Sequence, residues 1–98
     1  MSLKDAYREK IEAQIEEQQA HLALLKAKAK HAAADVKIMA YEEIGDADAK
    51  LDAVKAKLKE LGNTSGEAWK EMKAGVEKAW NDLAESSKKA ANLFKDKK

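Results

Sequence analysis

The sequence contains no cysteine and no proline, and its aromatics are limited to two Trp, two Tyr and one Phe. Without cysteine, disulfides, thiol catalysis and thiolate metal sites are excluded. Without proline the strongest helix breaker is missing. So few aromatic rings argue against a large globular core. No apolar run approaches the ~20 residues of a membrane span. Charge of one sign is also missing: 19 basic against 18 acidic residues leave a formal +1, with the signs interleaved. Such a chain has no global field of the kind that attracts nucleic acid, so no nucleic-acid partner is expected. The opening MSLKDAYREK is charged and lacks the apolar core of a signal peptide, and a soluble, cytoplasmic protein is expected.

What is present is helix-forming. Charged residues make up 38% of the 98-residue chain, and Ala, Lys, Glu and Leu dominate, a composition typical of long helices and coiled coils. Apolar residues are too many and too regularly spaced for a disordered polyelectrolyte. The length allows one domain, residues 1–98.

Ser2 suits an N-cap, with Asp5 favourably placed in the first turn. Leu3, Tyr7, Ile11, Ile15 and Leu22 then begin an apolar stripe. Between Ala20 and Tyr41 there are two stripes on opposite sides of one helix. The first is Leu22, Leu25, Ala29, Ala32, Val36 and Met39; the second is Ala20, Leu24, Ala27, His31, Ala34, Ile38 and Tyr41. A helix with two apolar stripes is sandwiched between neighbours. Ile44, Leu51, Val54, Leu58 and Leu61 continue a single stripe. Gly45 is the weak point and the place where a hinge could form, costing about 1 kcal/mol in a helix relative to Ala, but the stripe passes through it without a change of phase and continuity is expected. The segment Gly62-Asn63-Thr64-Ser65 reads as a turn, with Gly62 in the left-handed position after a helix. Thr64 with Glu67 reads as a capping box for the next helix.

These signals predict an all-α, asymmetric antiparallel helical hairpin, coiled-coil-like, with a long helix over about 3–61 and a shorter one over about 66–95. A basic tail over 95–98 is expected to fray. The shorter helix carries an eleven-residue repeat, AWKEMKAGVEK followed by AWNDLAESSKK. Folded back, it places Trp69, Met72, Val76, Trp80 and Leu83 against Leu51, Val54 and Leu58. At ~1.5 Å per residue the long helix would measure roughly 90 Å and its partner half of that, leaving residues 3–35 without an intrachain neighbour. Exposed apolar stripes mark interaction surfaces. Self-association as a homo-oligomer, most simply an antiparallel dimer, is therefore expected through Ile11, Ile15, Leu22, Leu24, Leu25, His31, Ile38 and Tyr41.

Three other functions are weighed against that one. His21 and His31 each have a carboxylate one turn away, Glu17 and Asp35, which makes them the metal-ligand candidates. Neither has the Glu-x-x-His spacing of di-iron bundles, and ion pairing is the plainer reading. The Trp-bearing helix 66–95 is the candidate for a lipid surface. Its stripe is narrow and interrupted by Ser87, which fits packing on the first helix better. For catalysis there is no phosphate-binding Gly-rich loop and no nucleophile–base pattern, so no enzyme activity and no cofactor are expected.

Taken together, MSLKDAYREKIEAQIEEQ, LDAVKAKLKELG and above all GEAWKEMKAGVEKAWNDL resemble a family of small bacterial coiled-coil proteins of the stress-response or uncharacterised type. The resemblance covers nearly the whole chain and is most specific over residues 68–83. It implies a cytosolic bacterial protein without known catalysis and supplies no site residues. Family members carry a charged, helix-favouring residue where this chain has Gly45.

Overall fold

A computed structural model describes residues 2–95 and contains three α-helices in the order α1 (Leu3–Lys30), α2 (Ala34–Gly62) and α3 (Trp69–Asn92). The all-α class is as expected. The single helix over 3–61 is not: it breaks at His31-Ala32-Ala33, and α1 folds back along α2. The longest dimension of the described chain is 51 Å, far below the roughly 90 Å a continuous helix would need at ~1.5 Å per residue. Gly45 lies within α2, which passes through it as helix.

The break contains no helix-breaking residue, so tertiary packing accounts for it. Folding back buries Ile11, Ile15, Leu22 and Leu25 within the chain, each contributing roughly 1.5–3 kcal/mol relative to exposure. That outweighs the few helical hydrogen bonds lost at the corner, each worth about 0.5–1.5 kcal/mol net. The N-terminus of α1 forms as its sequence specifies, with the Ser2 hydroxyl accepting from the Asp5 N–H at 3.1 Å. By contrast Ala33, the N-cap of α2, offers no side-chain hydrogen bond.

The second turn also differs from expectation. Thr64 caps the preceding helix, its hydroxyl donating to the Glu60 carbonyl at 2.8 Å, and takes no part in a capping box with Glu67. The left-handed residue is Gly66, at φ 64°, not Gly62. Consequently α3 starts at Trp69 and not at residue 66, behind an Ala68 N-cap without a side-chain hydrogen bond. Helix α3 ends at Asn92. Of the tail expected to fray over 95–98, only Lys95 is described, and it is exposed; residues 96–98 lie outside the described residues.

Helix α2 is central, with α1 and α3 packed against it and running in the same direction as each other. Its seam of Ala40, Ile44, Ala47, Leu51, Val54, Leu58 and Leu61 is buried throughout. Opposite it α3 contributes Trp69, Val76, Leu83 and Ala90, with Met72 and Trp80 partly buried against the same core. Helices α1 and α3 meet where the Tyr7 and Trp69 ring centroids stand 6.2 Å apart.

Candidate functional site

Three features stand out from the packed core. The first is a polar tie between α2 and α3. Asp46 and Lys50 are one turn apart on α2, and their side chains form an ion pair at 3.1 Å. Ser86, on α3, is 2% exposed. Its hydroxyl donates to Asp46 Oδ2 at 2.6 Å and accepts from Lys50 Nζ at 2.8 Å. These bonds hold the Asp46 carboxyl below the usual carboxylate range, with the Ser86 hydroxyl the largest cause and Lys50 the next. With its proton aimed at a carboxylate and its lone pair taken by an ammonium, this hydroxyl is held as a link between helices. The trio was not foreseen. The available signal was Ser86 beside Ser87 near an otherwise apolar stripe, facing a helix with an i,i+4 Asp–Lys pair.

The second feature is the contact of α1 with the end of α2. Lys4 Nζ donates to the carbonyls of Thr64 at 3.1 Å and Gly62 at 3.4 Å, a cation where the helix dipole favours one. The Arg8 guanidinium lies against Gly62, where a Cβ would stand 3.0 Å from Cζ. A groove of about 400 Å³ follows along α1 and α2, lined by Arg8, Glu12, Ile15, Lys55, Leu58 and Lys59 among others. Between α1 and α3 there is a smaller groove of about 160 Å³ beside Tyr7, Ile11, Glu77 and Trp80.

The third feature is the start of α2. Ile38, Met39 and Tyr41 are 63%, 49% and 44% exposed, and Val36 is half-buried. At 100° per residue, Val36, Ile38, Met39 and Tyr41 spread right round the helix. All seven positions of the second stripe, from Ala20 through Leu24 and His31 to Tyr41, are exposed. The break at 31–33 divides them between α1 and α2. The expected oligomer-interface residues thus separate: Ile11, Ile15, Leu22 and Leu25 lie in the intrachain core, whereas Leu24, His31, Ile38 and Tyr41 face outward. The length mismatch that called for a partner along residues 3–35 is met within the chain.

His21 is half-buried on α1 and His31 is the exposed C-cap of that helix. Among the described residues no group of three or more His, Cys, Asp or Glu is placed to hold a metal ion. No described helix is long and apolar enough to cross a membrane. No family model, no curated protein and no solved structure matches the chain.

Proposed function

We propose that this chain is a non-catalytic interaction protein whose partner is a second copy of itself, docked at the N-terminal end of α2. One observation carries the reading. Of the five large apolar side chains left exposed among the described residues, Leu24, Ile38, Met39 and Tyr41 lie on the two helix ends beside the turn at 31–33. Exposed apolar side chains gathered at one place mark an interaction surface. Sedimentation velocity across micromolar to millimolar concentrations tests this. A reversible dimer is expected, and the Ile38→Glu/Tyr41→Glu double variant should stay monomeric with an unchanged helical circular-dichroism spectrum. A wild-type chain that sediments as a monomer throughout would end the reading.

A role under stress belongs to the same proposal and rests on the resemblance of residues 68–83 alone; abundance after heat or osmotic shock tests it. The rival, a lipid surface bound through residues 66–95, requires α3 to leave the core, because Trp69, Val76 and Leu83 are buried there. A blue shift of tryptophan emission only on adding anionic vesicles would favour that rival.

A further inference from the structure

At the far end Lys4 reaches Gly62 and Thr64, a pairing centred close to the turn, but nearer the turn the contacts between α1 and α2 are no longer centred on it. Lys26 Nζ lies 2.9 Å from Asp48 Oδ2. The same groove is lined by Gln19 and Leu22 from α1 and by Leu51 and Lys55 from α2. Midway in sequence between Lys26 and Asp48, and equally between Gln19 and Lys55, stands Lys37, already inside α2. The first turns of α2 therefore run past the end of α1, and they hold the exposed Ile38, Met39 and Tyr41.

The sequence between the paired segments keeps their phase. From Lys26 to Asp48, the residues Lys30, Ala33, Lys37, Tyr41 and Ile44 follow at steps of three and four, the spacing of one continuous helical face. About Lys37 this face is its own mirror, with Lys30 opposite Ile44 and Ala33 opposite Tyr41. In a closed chain these pairs are not all available, because Ala33 lies in the corner itself and cannot stand opposite Tyr41. Between two straight antiparallel copies they form as naturally as Lys26 with Asp48.

The corner itself is made of helix-forming residues. His31, Ala32 and Ala33 include no glycine or proline, and alanine has the highest helix propensity of all residues. No side chain caps α2 at Ala33. Beyond the core stripe, α1 is tied to α2 by the Lys26–Asp48 ion pair and the two Lys4 hydrogen bonds, all of which re-form when α1 comes from another copy.

We propose that two copies exchange α1. Residues 31–33 straighten, α1 and α2 become one long helix, and each α1 packs on the α2–α3 pair of the other copy, with the two-fold axis at Lys37. This rests on the self-association reading above and deepens it by naming how the second copy binds at Tyr41; Leu24 and Met39 lie on other sides of the helix. Exchange preserves the intrachain pairing in intermolecular form, restores helical hydrogen bonds at the corner, and covers Tyr41 with Ala33 of the second copy. It is opposed by the two Lys37 ammonium groups, which meet at the axis.

The chain has no cysteine of its own, so Lys26→Cys/Asp48→Cys can be bridged by a short bis-maleimide. The full chain is refolded at high concentration, monomer and dimer are separated, and each fraction is crosslinked and run on a denaturing gel. Exchange predicts intrachain bridges in the monomer and covalent dimers in the dimer fraction. A dimer fraction with intrachain bridges only would overturn exchange and leave self-association standing; absence of any dimer would overturn both. The hinge gives a second, independent reading. Ala33 has φ −60°, a proline-compatible angle, and its N–H donates no backbone hydrogen bond among the described residues. Ala33→Pro should therefore keep the closed fold and abolish the dimer, and Ala33→Gly should weaken the dimer several-fold. Lys37→Ala should strengthen it several-fold. Persistence of the dimer in Ala33→Pro, or a weaker dimer in Lys37→Ala, would overturn the proposal.

Discussion

The Ser86 hydroxyl of α3 is bonded to the Asp46 carboxylate of α2 at 2.6 Å, in a position where the serine is almost wholly buried and the aspartate reaches solvent. Ser86→Ala leaves a small gap and deprives the carboxylate of its shortest partner. Urea unfolding should show a loss of about 1–2 kcal/mol, the range for a hydrogen bond to a charged group once the exposed acceptor regains water.

The same bond makes stability depend on acid. The folded-state pKa of Asp46 is depressed, first by Ser86 and then by Lys50. Its contribution is therefore complete above the unfolded carboxylate value of about 4 and is lost as pH falls through the lower, folded value. Wild-type stability should decline on that acid limb more steeply than that of Ser86→Ala. Because Asp46 is half exposed, the difference is small and is best read from paired thermal melts at several acidic pH values.

Arg8 and Gly62 form a second coupled pair. A methyl group at Gly62 would press on the guanidinium at 3.0 Å, but that group is the far end of a flexible side chain. Alanine is favoured over glycine in a helix by about 1 kcal/mol, less in a final turn. Gly62→Ala should stabilise an Arg8→Ala background by about 0.5–1 kcal/mol and the wild type by less. Equal effects in both backgrounds would show that the contact carries no energy.

Tyr7 holds a different kind of cost. Its ring packs on Trp69 and lies under Lys73 Nζ at 5.2 Å, but its buried hydroxyl has no hydrogen-bond partner among the described residues. Burial, with Glu77 nearby, pushes its pKa upward. Tyr7→Phe keeps the ring and removes the unsatisfied group, so the change should be neutral or stabilising by up to about 1 kcal/mol. Differential scanning calorimetry would detect it.

Gly45 is exposed within α2, and a Cβ there would meet nothing within 4 Å. Gly45→Ala should raise stability by roughly 0.5–1 kcal/mol without altering oligomeric state. A lost dimer in that variant would point to bending at Gly45 and away from the corner at 31–33.

The helical class, the N-cap at Ser2 and the inward face of the last helix were legible because each depends on local signals: a capping residue, an apolar period, and two tryptophans set one repeat apart. The corner at His31-Ala32-Ala33 was not legible, because local propensity there favours helix and only distant burial of Ile11, Ile15, Leu22 and Leu25 opposes it. The mismatch in predicted helix lengths did register that conflict; folding back within one chain resolves it as well as a partner does. Thr64 misled for a related reason, since a hydroxyl between two helices can cap either. Of the outstanding side-chain features, Leu24, Ile38 and Tyr41 stood out in the stripe pattern, whereas the link from Ser86 to Asp46 depends on how two helices are aligned.

That link acts as a register pin for a repetitive helix. Sliding α3 along α2 by one eleven-residue repeat would carry Trp69 into the place of Trp80 and Met72 into that of Leu83, an exchange the apolar seam would tolerate. It would also bring Gly75, which now sits against the Lys57 stem, to face Asp46 and Lys50. A glycine offers that pair no hydroxyl, and Ser86 and Ser87 would move beyond it. The shift would vacate the places of Trp69, Met72 and Val76, and the buried serine separates the two alignments further, as single polar residues do in coiled coils.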